Sequence, residues 1–129
     1  MHFGTFFAYI IIRQEDYSMP EYIKTVEDFV RDHIDEKITL KMMSDCVYLS
    51  QFHFSRMFKK ATGLSPKQYV MQVKLANAED MLAFSDKKVY EIAEQIGYEP
   101  SRFCNLFKEF NGVSPTEYRE SCQTRLATA

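Results

Sequence analysis

The stretch from Phe54 to Tyr69, FSRMFKKATGLSPKQY, returns in outline as FCNLFKEFNGVSPTEY from Phe103 to Tyr118. A constant offset of 49 residues superimposes Phe54 on Phe103, Phe58 on Phe107, Lys59 on Lys108, Gly63 on Gly112, Ser65 on Ser114, Pro66 on Pro115 and Tyr69 on Tyr118. A gap-free offset marks an internal repeat, so the chain must make the same supersecondary unit twice. The offset also holds upstream, pairing Leu40 with Val89, Met43 with Ile92, Ser44 with Ala93 and Val47 with Ile96.

Each unit parses into two short helices, a tight turn and the start of a third helix. Leu40, Met43 and Val47, like Val89, Ile92, Ala93 and Ile96, recur at the three- and four-residue spacing of one buried helical face. The break that follows contains Val47-Tyr48-Leu49 in one copy and Gly97-Tyr98-Glu99 in the other, before Ser50 or Pro100 opens the next helix. That second helix directs Phe54, Met57, Phe58 and Ala61 inward, matched by Phe103, Leu106, Phe107 and Phe110, and ends at Gly63 or Gly112. Ser65-Pro66-Lys67-Gln68 and Ser114-Pro115-Thr116-Glu117 both read as a capping box with proline at the first helical position. Helix, short turn and second helix with one polar face is helix-turn-helix geometry, made twice.

The expected fold is all-α, with two helix-turn-helix subdomains joined by a long connector helix, about seven helices in all. The reading divides the chain into an N-terminal segment (1–19), a first subdomain (20–64), a connector (65–84), a second subdomain (85–124) and a tail (125–129). Helix 1 is expected from near Pro20 to Ile34, burying Tyr22 or Ile23, Val26, Phe29 or Val30, and His33 or Ile34. Its outer face would carry Glu21, Glu27, Asp28, Arg31, Asp32 and Asp35, a solvated acidic surface in preference to a metal site. The connector is expected from Pro66 to about Phe84, with Tyr69, Val70, Val73, Ala76, Met81 and Leu82 facing inward. At 1.5 Å per residue it would span roughly 25 to 30 Å, close to the repeat of one turn of duplex DNA. Past Tyr118 the last helix is expected to fray through Arg119 and Glu120 into a disordered Ala127-Thr128-Ala129 tail.

The run from His2 to Ile12 is apolar but too short to span a bilayer, and it lacks the layout of a signal peptide. It reads as a packing element, a remnant of an upstream module or a dimerisation segment. Three cysteines, Cys46, Cys104 and Cys122, are an odd number without metal-ligand spacing, so reduced thiols in the cytoplasm are expected and no metal or cofactor is assigned.

A further set of residues comprises Lys74-Leu75-Ala76 with Ala78 and Leu82, VYEIAEQIGY from Val89 to Tyr98, Phe103, FKEF from Phe107 to Phe110, Gly112, Ser114-Pro115 and Tyr118-Arg119. In these residues the sequence resembles the DNA-binding region of the AraC/XylS family of bacterial transcription regulators. From Lys87 to Arg119 it is especially similar to output domains of AraC-type response regulators. Two departures stand out: Lys74 where arginine is usual, and Cys104-Asn105 in place of a Ser-Arg pair. The resemblance implies transcription regulation through double-stranded DNA, with activation the expected effect and the choice between activator and repressor open. It further implies RNA polymerase as a partner, and an upstream sensory or receiver domain.

A formal net charge of −2 argues at first against a nucleic-acid partner. Its distribution reverses that: between Ser50 and Lys74 stand Arg56, Lys59, Lys60, Lys67 and Lys74 with no Asp or Glu among them. On the first recognition helix the candidate DNA-contacting stripe is Gln51, Phe52, Ser55, Arg56 and Lys59, with Arg56 suited to guanine O6 and N7. Phe52 fits either a thymine methyl or the core. On the second the stripe is Ser101, Cys104, Asn105 and Lys108 with Arg102 beside it, Asn105 suiting adenine and the cations suiting phosphates. Cys104 reads as an ordinary small side chain in preference to a redox sensor. Glu99 and Glu109 flank this stripe, so the second unit is expected to bind more weakly. The N-termini at Ser50, Ser65, Pro100 and Ser114 are candidates to donate backbone N–H groups to phosphates.

An enzyme is not expected. Gly4, Gly63, Gly97 and Gly112 form no phosphate loop, and His2, His33 and His53 fall in no zinc-protease pattern. The alternative is a protein–protein interaction module using the apolar N-terminal run and acidic helix 1, with the basic stripe merely solvated.

Overall fold

The computed structural model describes residues 21–128, with side chains described as far as Arg125. The expectations for the segment 1–19 therefore lie outside the described residues. Seven helices and no strand occur among the described residues: α1 (Glu21–Asp32), α2 (Leu40–Cys46), α3 (Gln51–Thr62), α4 (Pro66–Phe84), α5 (Val89–Gln95), α6 (Pro100–Asn111) and α7 (Pro115–Thr128).

Local chemistry sets most of these boundaries. The Ser65 hydroxyl accepts from the Gln68 backbone at 3.2 Å while the Ser65 N–H donates to the Gln68 side chain at 3.1 Å. Ser114 and Glu117 repeat the exchange at 2.9 and 3.1 Å, so both expected capping boxes form. Gly63 and Gly112 close α3 and α6 in the left-handed conformation, at φ 82° and 80°.

Two cores form. Ile23, Val26, Val30, Met43, Phe54, Phe58, Tyr69, Val70 and Val73 make the first. Leu75, Ala76, Ala78, Leu82, Ile92, Ala93, Ile96, Phe103 and Phe107 make the second. The N-terminal half of α4 completes one core and its C-terminal half the other, so this helix is buried on most of its circumference. It is a structural member of both heads as well as the rod between them.

Several expectations are corrected. Helix 1 ends at Asp32, and Glu27, assigned to its solvated face, is buried at 3% exposure between Val26 and Val30. On α4, Met81 is only half-buried, while Lys74, Leu75, Ala78 and Glu79 are buried. Phe110 is 40% exposed, because α6 fills its core position with Phe103 and Phe107, one turn apart. The last helix does not fray at Arg119 and runs to Thr128. The Arg119 guanidinium holds it by donating to the carbonyls of Leu82 at 3.0 Å and Ser85 at 3.1 Å, which closes the C-terminus of α4.

Candidate nucleic-acid interface

Both recognition helices are fixed from behind by aromatic rings. In the first head Phe54 and Phe58 are fully buried with centroids 5.4 Å apart, and Tyr69 meets Phe58 edge-on at 5.3 Å. In the second, Phe103 and Phe107 lie 5.7 Å apart and Tyr118 meets Phe107 edge-on at 5.5 Å. With those rings inward, the opposite faces of α3 and α6 must point to solvent.

On α3, Gln51, Phe52, Arg56 and Lys59 are exposed and Ser55 is half-buried, so the expected stripe lies on one surface. Phe52 is 72% exposed, which rules out core packing. The Arg56 guanidinium carbon sits 5.5 Å from the Phe52 ring centroid, a cation–π arrangement that limits where the fork can point. On α6, Ser101, Arg102, Asn105 and Lys108 are exposed, and Cys104, at the repeat position of the half-buried Ser55, is likewise half-buried and packs against the second core.

The helix starts differ. Ser50 caps α3, its hydroxyl accepting from the His53 N–H at 3.1 Å. At α6 the capping group is Glu99, whose Oε1 accepts from the N–H groups of Ser101 and Arg102, each at 3.1 Å, and from the Ser101 hydroxyl. The Ser101 hydroxyl and these N–H groups hold the Glu99 carboxyl below the usual carboxylate range. The N-terminus at Pro100, a candidate phosphate site, is thus already occupied by a carboxylate.

Lys74 is removed from the basic patch. It is 2% exposed, and its ammonium donates to the carbonyls of Ile34, Glu36 and Ile96. Burial pulls its pKa down to about 8. Between the heads a cleft of about 350 Å³ is lined by Lys37, Lys67, Val70, Met71, Tyr98 and Arg102, among others. Tyr48, to which the sequence assigns no role, is 95% exposed and left-handed at φ 59°. The repeat offset aligns it with Gly97, at φ 78°, and that alignment is the signal that marks it as a special backbone position. Among the described residues there is no cluster of side chains able to hold a metal, and no helix long and apolar enough to cross a membrane.

Two ring-braced helices, each at the same register of a repeated unit and each exposing a polar stripe, define a double helix-turn-helix DNA-binding domain. The helix-turn-helix domain family matches residues 43–121, and the chain belongs to it, in the AraC-type branch of transcription regulators. It is 36% identical over 93 residues to the uncharacterized HTH-type transcriptional regulator YisR of Bacillus subtilis, covering 71% of this chain and 32% of that protein. Among solved structures it is similar to the DNA-binding domain of AdpA in complex with a target DNA, with a TM-score of 0.76, 27% identity and coverage of 81% of this chain and 95% of that one. It is also similar to the C-terminal domain of the two-component response regulator YesN from Fusobacterium nucleatum, with a TM-score of 0.73, 29% identity and coverage of 78% and 99%. The chain spans about a third of the length of the curated relatives it matches. The matched region is a DNA-binding domain of transcription regulators.

Proposed function

We propose that the chain binds duplex DNA by placing α3 and α6 in successive major-groove segments on one face, and that this binding regulates transcription. The observation that carries the reading is the pair of stripes exposed by equivalent, ring-braced helices at the two ends of α4. The 19 residues of α4 span about 28 Å, near the roughly 34 Å turn of duplex DNA.

In this reading Arg56, steadied over Phe52, donates a bidentate pair to guanine O6 and N7, and the exposed edge of Phe52 lies against a thymine methyl. Gln51 and Ser55 reach neighbouring base edges or phosphates, and Lys59 neutralises a phosphate. In the second head Asn105 pairs with adenine N6 and N7, while Ser101, Arg102 and Lys108 meet the backbone. Cytoplasmic location, RNA polymerase as the responding partner and an activating effect belong to the same proposal. A sensory or receiver module upstream is favoured by the likeness to a response-regulator output domain.

Selection of bound sequences from a random duplex library tests this. Two unlike half-sites centred about one helical turn apart are expected. Enrichment of no sequence, or binding whose affinity does not fall between about 50 and 200 mM salt, would overturn it.

A further inference from the structure

Lys74 lies on a seam where the two heads meet. Its ammonium reaches the carbonyls of Ile34 and Glu36, in the loop that follows α1, and the carbonyl of Ile96, which ends α5. A lysine ammonium has three protons, and here each has an acceptor, drawn from both heads by a residue on the helix they share. Tyr98, just past the α5 end, places its ring 5.5 Å from the same nitrogen. The backbones also close on each other: a Cβ added at Gly97 would lie 2.9 Å from the Asp35 carbonyl oxygen.

From this geometry we infer that Lys74 is a positioning residue that latches the two heads in one relative orientation and thereby sets the half-site spacing the protein accepts. It touches no base, and it rests on the DNA-binding reading above. Two heads on one rod gain from binding together only if both stripes meet their grooves at once. Rotation of one head about α4 would move α6 out of register with α3. Close packing of both cores on the shared helix resists such rotation, and Arg119 ties the second head to the end of that helix. The three directional hydrogen bonds of Lys74 add a tie between the loop after α1 in the first head and the end of α5 in the second. Removing the ammonium leaves three seam carbonyls without their donor, which loosens the seam.

The test uses the duplex selected by the wild-type protein, together with versions in which one base pair is inserted or removed between the half-sites. One base pair turns a half-site by roughly 35° about the duplex axis, so wild type is expected to lose about tenfold or more in affinity on either change. Lys74→Met is expected to bind all spacings within about threefold of one another, while each half-site keeps its base preferences. Lys74→Arg, whose fork still donates to carbonyls, is expected to restore discrimination. Gly97→Ala attacks the seam from the other side, with Gly112→Ala as its control. Both carry the same left-handed strain, at φ 78° and 80°, but a Cβ at Gly112 meets nothing within 4 Å. Gly97→Ala should flatten the spacing profile and Gly112→Ala should leave it sharp.

If Lys74→Met and Gly97→Ala, still folded by circular dichroism, keep the wild-type spacing profile, the latch is refuted and the DNA-binding reading stands. Should Lys74→Met fail to fold, Gly97→Ala against Gly112→Ala decides alone. If wild type selects no sequence, both fall.

Discussion

The two heads share a frame and differ on the surface that frame presents. Behind α3 and α6 equivalent rings meet edge-on at nearly the same distances, and the same capping box starts the next helix. In front, α3 carries Arg56, Lys59 and Lys60 with no acid, whereas α6 carries Arg102, Lys108 and Glu109 and begins at the Glu99 carboxylate. Arg56 stands where Asn105 does, and Phe52 where Ser101 does. The repeat keeps what holds a recognition helix and varies what that helix presents, so in the proposed reading the first head is the stronger phosphate binder and the two read different bases.

The largest effect should fall on what the heads share. Phe58→Ala and Phe107→Ala each remove a fully buried ring and should destabilise their own head by about 3 to 5 kcal/mol in denaturant titration. An unchanged midpoint for either would break the equivalence of the frames.

A second shared device is a buried acid beside a tyrosine. Glu27 and Glu79 are 3% and 7% exposed, each with one carboxylate oxygen that has no hydrogen-bond partner among the described residues. Burial raises each carboxyl from 4.5 to about 7, with Arg31 and Lys24 opposing the shift at Glu27 and Asp28 reinforcing it. Each lies near the tyrosine of its head, Tyr69 or Tyr118, whose hydroxyl pKa is raised by burial and by that acid. Because the folded-state pKa is the higher one, the protonated form is favoured by folding. The stability this contributes is complete below about pH 4.5 and is lost as pH rises through 7. Glu27→Gln and Glu79→Gln should therefore be roughly 2 to 3 kcal/mol more stable than wild type at pH 8 and equal to it near pH 4. Thermal melts across pH check this, and a gain that does not depend on pH would contradict it.

Smaller effects should separate the fronts. Arg56→Ala should cost roughly 1 to 3 kcal/mol and relax one base pair in the first half-site, and Asn105→Ala should do the same in the second. A loss uniform over all sequences would show that the side chain touches only phosphate. The smallest effect is expected at the α6 cap. Glu99→Gln should tighten DNA binding slightly and steepen its salt dependence, whereas Ser50→Ala should weaken both binding and α3.

The repeat, the helix order, both phenylalanine pairs and the exposed stripes were legible because local periodicity and capping chemistry carry them. The burial of Lys74 was not, because its acceptors are backbone carbonyls 22 to 40 residues away and leave no mark on side-chain pattern. Glu27 reads as solvated from sequence because it is charged and sits beside Asp28 on a helix that also carries Glu21, Arg31 and Asp32. A shifted comparison pairing Ile23 with Leu75, Val26 with Ala78, Glu27 with Glu79 and Val30 with Leu82 would have exposed it, since it extends the repeat across a short insertion. Cys104 and Phe110 sit at the edge of a helical face, where a rotation of a few tens of degrees separates stripe from core, and spacing alone does not resolve that angle.

Methylation interference on the selected duplex tests the central claim most directly, since a methyl group at guanine N7 blocks only the major groove. Two clusters of interfering guanines about 10 base pairs apart on one face are expected, with Arg56→Ala erasing sensitivity in one cluster alone. A single cluster, or two on opposite faces, would contradict the claim that both heads enter the major groove together.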